Sequence, residues 1–339
     1  MACAFAAIAG LCGAAPSAPA APSPVAMAAP ATVPGTERFD LTGSNGQTYR
    51  ISVGLPQGYE RMADARFATV YVLDANGSFA MATELARILA AGGEIPPVVV
   101  VGIGYPVDFL SETVLQRLRD FTPTPDPVHE RLVEALTGTG TPVVSGQAAA
   151  FRRFIADQLI PAVEARYRAS PHQRLLAGHS LGALFGLAVL ADQPDLFDAY
   201  VLSSPPVLWD REYVLRRMAQ ALYPKPRADC GPVRLFLAMG REETTLSKVI
   251  GLPPDLTPAE RDFLKAVGDP SPVAQFDSLL GVLQRQPKAD LTLRSEIFPG
   301  ETHGSVEPRA WVEGLRWALG PGLEDRCAGK SGSGSHDAR

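Results

Sequence analysis

The chain lacks any broad excess of positive charge: 31 Lys and Arg stand against 36 Asp and Glu, interspersed, for a formal net charge of -5 at pH 7. A nucleic-acid surface needs a basic face or stripe, so nucleic acid is not an expected partner. Residues 1–36 lack charge altogether and are dominated by Ala, Pro and Ser. Their apolar stretch, 4–11, falls well short of the roughly 20 residues of a membrane span, so no stable membrane insertion is expected. The segment reads instead as a signal peptide followed by a Pro/Ala-rich linker, with small-residue cleavage candidates at Ala18-Pro19-Ala20 and Ala26-Met27-Ala28, and hence as part of a periplasmic or secreted protein. Missing from it is a basic n-region, since the first Lys or Arg is Arg38, which points to a start inside a longer leader. Cysteine is scarce: Cys3 and Cys12 would leave with the leader, Ala9-Gly10-Leu11 makes a poor lipid-attachment site at Cys12, and only Cys230 and Cys327 remain. Internal repeats are not apparent.

What is present, 46% hydrophobic and 20% charged residues in 339, is the composition of a soluble globular protein with one large domain. We assign that domain to 37–322 and a flexible Gly/Ser-rich tail to 323–339. Strand patterns fall near 38–41, 48–54, 68–73, 97–103, 174–178, 199–202, 233–239 and 290–298. Helical patterns fall near 79–91, 148–168, 181–192, 210–222, 271–286 and 308–319, with Pro161 expected to kink the second. The alternation predicts an α/β fold, a mostly parallel eight-stranded sheet with helices on both faces. Two segments exceed the minimal pattern, 122–150 with a short helical piece near 128–136 and 244–269; both are read as lid and specificity insertions or as bland surface loops.

The most informative run is Leu175-Leu176-Ala177-Gly178-His179-Ser180-Leu181-Gly182-Ala183-Leu184, an apolar strand that breaks at a serine and continues as a helix. Glycines two residues either side of Ser180 are what a nucleophile elbow needs, because the tight turn leaves no room for side chains there. This makes the fold class an α/β-hydrolase. A serine hydroxyl needs a base and a group that orients the base, and in this fold both follow the serine, acid first. The strand at 233–239 runs through Gly240 onto Arg241-Glu242-Glu243, and the last strand opens onto Pro299-Gly300-Glu301-Thr302-His303-Gly304-Ser305. Ser180 is therefore the candidate nucleophile, His303 the base, and Glu243 the acid, with Glu242 its rival. The oxyanion needs fixed N–H donors, one from Leu181 and one from Asn76 in Asp74-Ala75-Asn76-Gly77; the alternative for Asn76 is a plain Asn-Gly turn. Neither metal nor organic cofactor is called for.

Further pieces extend the pattern: Val70-Tyr71-Val72-Leu73-Asp74, Val101-Gly102-Ile103-Gly104-Tyr105, Arg119-Asp120-Phe121-Thr122-Pro123, Ser145-Gly146-Gln147 leading to Phe151, and Ser203-Ser204-Pro205 reaching Trp209. Over 48–319 the chain resembles the Putative esterase family of α/β-hydrolases, which includes esterase D-like enzymes, mycolyltransferases and, most similar here, siderophore (enterobactin and salmochelin) esterases. The resemblance implies Ser180 and His303 as the catalytic pair, Asn76 and Leu181 as oxyanion donors, and Glu243 as either the required acid or a support to a Ser–His pair. It departs from the pattern at Ala75 after Asp74 and at Leu208 before Trp209, which touches substrate identity and not reaction class.

Three residues are candidates for holding substrate. Arg119 could hold an anionic group or pair with Asp120 or Glu112, and Trp209 and Tyr105 could wall an aryl group or pack in the core. In this fold Cys230 precedes the strand leading to Glu243, and the last helix returns toward the same sheet edge, so a Cys230–Cys327 disulfide is reasonable, against two free thiols. The expectation is a serine hydrolase cleaving carboxylic esters through an acyl-enzyme, with a small-molecule ester as partner and a siderophore ester or trilactone as first substrate. Its rivals are an acyltransferase on the same Ser–His site and a non-catalytic siderophore-binding protein of the same fold.

Overall fold

Runs of β-branched and aromatic residues build the sheet. Phe67–Val72 (FATVYV) and Val98–Gly104 (VVVVGIG) are buried at every position, as central strands of a sheet covered on both faces must be. In chain order the strands are β1 (Thr36–Thr42), β2 (Thr48–Gly54), β3 (Phe67–Val72), β4 (Val98–Gly104), β5 (Ala169–His179), β6 (Ala199–Ser203), β7 (Val233–Gly240) and β8 (Leu291–Phe298). They form one sheet in the order β1-β2-β4-β3-β5-β6-β7-β8. β2 runs antiparallel to both its neighbours, and every pairing from β4 to β8 is parallel. The computed structural model describes residues 32–107, 110–138, 140, 142–221, 232–285 and 291–320. Residues 1–31 of the expected signal peptide and linker over 1–36, both thiols of the expected Cys230–Cys327 bridge and the expected tail lie outside the described residues.

All eight expected strands are present with closely matching ends except at β5, which begins at Ala169. Its first residue pairs with Phe67, and the register then shifts so that Thr69 faces Arg174; the polar stretch Ser170, Pro171, His172, Gln173 occupies the irregularity and hides this strand end from the hydrophobic pattern.

The helices are α1 (Ala75–Ala91), α2 (Leu110–Phe121), α3 (Pro127–Thr137), α4 (Ala148–Phe154), α5 (Ile160–Arg166), α6 (Leu181–Asp192), α7 (Trp209–Gln220), α8 (Leu246–Val249), α9 (Pro258–Val267), α10 (Pro272–Gln284) and α11 (Val306–Leu319). One layer, α1 and α11, covers one face of the sheet through Ala82, Ala86, Leu89, Ala310, Trp311 and Leu315. Phe121, Phe151, Phe154, Phe185, Met218 and Phe276, from α2, α4, α6, α7 and α10, cover the other. The helix expected over 148–168 is interrupted by a π-helical turn, Ile155–Leu159, just before Pro161. Proline has no N–H for the carbonyl four residues back, and a wider turn absorbs that missing bond. Among the described residues no helix is long and apolar enough to cross a membrane.

Gly314 sets how close α11 comes to the sheet. A Cβ there would stand 2.4 Å from Val201 Cγ1 and 3.0 Å from Phe236 Cδ1. Overpacking costs about 1–3 kcal/mol, partly offset by alanine's advantage in helices of about 1 kcal/mol. Gly314→Ala is therefore expected to lower stability by about 1 kcal/mol, measured as a lower urea midpoint at constant m-value. An unchanged or raised midpoint would refute this account of the α11 contact.

Candidate active site

Ser180 joins β5 to α6 at φ 56°, ψ −124°, a region that costs a non-glycine residue about 1–3 kcal/mol. Packing holds it there. A Cβ on Gly178 would lie 2.6 Å from the Gly182 carbonyl oxygen, so the two flanking glycines meet back to back. The Ser180 N–H donates to the Ser203 carbonyl of β6 at 2.9 Å, and the Ser180 carbonyl accepts from Ala183 and Leu184 as α6 begins. The serine thus stands at the carboxyl edge of the sheet, at the helix N-terminus, where the first-turn N–H groups of Leu181 and Gly182 have no intrahelical acceptor.

The next two loops at this edge bring a carboxylate and an imidazole together. Glu243, after β7, is 1% exposed, and its Oε2 lies 2.7 Å from His303 Nδ1. Glu242, its rival in the sequence, is exposed and faces Lys248 at 3.7 Å. Of the two carboxylates, Glu243 reaches the imidazole. Its second oxygen, Oε1, accepts from Ser204 Oγ at 2.6 Å and from the Gly240 N–H at 2.7 Å. The loops carrying Glu243 and His303 are fastened to each other: Arg241 N–H donates to the Phe298 carbonyl at 2.9 Å, and Glu242 N–H to the Glu301 carbonyl at 3.0 Å. Only glycine fits at 240, where a Cβ would sit 2.3 Å from the Glu301 oxygen.

His179 links the elbow to this arm. Its ring centroid lies 4.5 Å from that of His303, and its Nδ1 is 2.9 Å from Ser203 Oγ. Burial first, then the nearby His303 and Arg117, hold its pKa well below the usual histidine value. It is a neutral packing partner, and His303 is the imidazole of the pair whose Nδ1 meets a carboxylate.

Asn76 lies within α1, so it forms no Asn-Gly hairpin turn. Its side chain is occupied: Oδ1 accepts from the Tyr105 N–H at 2.8 Å, and Nδ2 donates to the carbonyls of Tyr105 at 2.9 Å and Val107 at 3.3 Å. What this residue can offer a ligand is its backbone N–H in the first turn of α1. Asp74, before it, is held at φ 56° and receives Arg117 from α2 on both carboxylate oxygens, at 2.5 and 3.0 Å. Gly182 packs beside this turn, its virtual Cβ 3.4 Å from Leu73 Cδ1 and 3.6 Å from Asp74 Oδ2.

The residues read as substrate contacts are engaged in the walls. Arg119 donates to both oxygens of Asp120 at 2.8 Å and to Gln47 at 2.6 Å, the pairing alternative raised for it. Tyr105 is 2% exposed and donates its hydroxyl to Asp120 at 3.1 Å. Trp209 is equally buried, donates to the Thr124 carbonyl at 3.0 Å, and packs against His129 with centroids 4.5 Å apart and the rings tilted by 33°. His129 in turn meets Phe263 of α9 at 5.0 Å and hydrogen-bonds Asp126 at 2.9 Å. The two insertions, carrying α3 and α9, thus pack against each other through this histidine. Sequence reasoning assigned no part to Ser203, Ser204, Asp74 or Arg117. Hydroxyls directly after the strand neighbouring the elbow were the available signal for the first two; nothing local marks Arg117, whose partner lies 43 residues away.

A parallel sheet in this order with a strained serine at its elbow defines an α/β-hydrolase. Residues 141–255 match the family described as Putative esterase. Over 297 residues the chain is 31% identical to the ferri-bacillibactin esterase BesA of Bacillus subtilis (strain 168), covering 86% of this chain and 91% of that one. It is 33% identical over 190 residues to the siderophore triacetylfusarinine C esterase of Aspergillus fumigatus, covering 55% and 61%. Among solved structures, the siderophore hydrolase EstB of Aspergillus nidulans superposes with a TM-score of 0.67 at 25% identity, covering 86% of this chain and 98% of that one. The chain belongs to this esterase family, and it is a carboxylic ester hydrolase.

Proposed function

We propose that the protein opens the ester bonds of a siderophore through an acyl-enzyme formed on Ser180. The observation that carries the proposal is the contact of buried Glu243 with half-buried His303, 2.7 Å apart, beside a strained serine elbow. In this reading Ser180 Oγ attacks the ester carbonyl carbon while its proton passes to His303 Nε2. The oxyanion accepts from the backbone N–H groups of Leu181 and Asn76. Collapse breaks the C–O bond, and the departing alkoxide takes the proton from His303. A water molecule, deprotonated by the same imidazole, then attacks the acyl carbon, and as the bond to Ser180 Oγ breaks that oxygen takes the proton back from His303. Glu243 holds the Nδ1–H and stabilises the imidazolium that forms between these steps.

The siderophore assignment rests on relatives named for ferri-bacillibactin, triacetylfusarinine C and enterobactin. The proposed setting, outside the cytoplasm, rests on the uncharged Ala/Pro-rich segment 1–36. Ferric and iron-free enterobactin and bacillibactin, together with p-nitrophenyl acetate and butyrate, form the test set, with product chromatography as the readout. Linearised siderophore at a kcat/KM above that for the aryl esters is expected. Turnover of the aryl esters with intact siderophore would remove the substrate assignment.

A further inference from the structure

Ser203, the last residue of β6, and Ser204, just after it, touch the serine elbow, His179 and Glu243. The Ser203 carbonyl takes the Ser180 N–H at 2.9 Å, the Ser203 hydroxyl lies 2.9 Å from His179 Nδ1, and the Ser204 hydroxyl donates to Glu243 Oε1 at 2.6 Å. Ser204 itself stands at φ 50°, a conformation that is strained for any residue but glycine. Its N–H is fixed by the Ala238 carbonyl of β7 at 2.8 Å, and it is 3% exposed. Glycine would hold this backbone without strain, so the strain is kept at a position whose side chain makes one contact of evident use. The neighbouring Gly240 N–H shares the same Glu243 oxygen at 2.7 Å, which fixes the carboxylate plane and turns Oε2 toward His303.

We infer that Ser204 is a positioning residue: its hydroxyl orients Glu243 so that the carboxylate presents one oxygen to His303. This deepens the proposed Ser180–His303–Glu243 mechanism and rests on it. A carboxylate with only the Gly240 donor is free to rotate about its last bond, and the imidazole then spends less time in the orientation that can accept the Ser180 proton. Misplacement of a catalytic group by about 1 Å can cost on the order of a hundredfold in rate, so a loss of about ten- to hundredfold is expected.

Ser204→Gly removes the hydroxyl and the backbone strain together. With p-nitrophenyl butyrate as the probe, the variant is expected to lose ten- to hundredfold in kcat with KM within about threefold, while relief of the strain offsets part of the lost bond and the protein still unfolds in one urea transition of unchanged m-value. Ser204→Ala, which keeps the strain, should lose a similar factor in kcat. In a Glu243→Gln background the Ser204→Gly change should cost less than threefold more, because the carboxylate oxygen that the hydroxyl aims at His303 is already replaced by an amide N–H₂. Wild-type kcat in Ser204→Gly, or a full additive loss in the double variant, would overturn the inference while Glu243→Gln alone remained impaired. Near-wild-type activity of Glu243→Gln alone would instead overturn the mechanism on which the inference rests.

Discussion

Ser180→Ala is expected to lower kcat on any carboxylic ester by about four to six orders of magnitude, with KM changed only a few-fold. Alanine at φ 56° inherits the same backbone strain as serine, and the contacts that hold the elbow are main-chain bonds and the Gly178–Gly182 approach. The variant should therefore fold as the wild type does, and its defect should be chemical. The residual rate would be that of water attacking an ester still polarised by the N–H donors. A fluorophosphonate probe should label the wild type at Ser180 and leave the variant unlabelled. Turnover within tenfold of wild type would exclude acyl transfer through this hydroxyl.

The second large effect concerns Glu243→Gln. Glutamine has the size of glutamate, and its oxygen can keep the bonds from Ser204 and Gly240. Toward His303 it then presents an N–H₂ where the native protein has an acceptor 2.7 Å from Nδ1. Two donors cannot share that contact, so the imidazole is driven to the tautomer with its proton on Nε2, the nitrogen that receives the Ser180 proton in the proposed mechanism. The change also removes a buried negative charge from beside the imidazolium that forms during reaction. By analogy with the same acid-to-amide change in a serine protease triad, kcat should fall by about three to four orders of magnitude. Steady-state kinetics on p-nitrophenyl butyrate decide the matter. A loss below about tenfold would identify a Ser–His pair with Glu243 in a supporting place only, the alternative that the family resemblance carries.

The parallel core was legible because β3, β4 and β7 are continuous apolar runs and the helices after them alternate regularly. The strained turn at Ser180 could be read from its flanking glycines, and the meeting of Glu243 with His303 from the strand ends they follow. The helix α2 was not read. Its inward-facing side chains include Thr113, Arg117 and Asp120, which bury against polar partners and break the apolar period. The short α9 buries little besides Glu260 and Phe263, and the first of these closes a capping box with Thr257 where a hydrophobic residue would have announced the helix. Asn76 followed by Gly77 carries the local signature of a turn, yet α1 starts before it because the Asn76 side chain is drawn onto the Tyr105 backbone 29 residues away. Choosing between Glu242 and Glu243 likewise needed the folded loop, since adjacent carboxylates differ only in which one the Gly240 turn points inward.

The bonds that join the β7 and β8 loops, from Arg241 to Phe298 and from Glu242 to Glu301, close before residues 244–269 begin. The Glu243–His303 contact is thereby tied in place by main-chain bonds that lie outside the excursion. A foreign loop grafted between 244 and 269 should leave that contact intact, so the segment can be rebuilt without dismantling the pair.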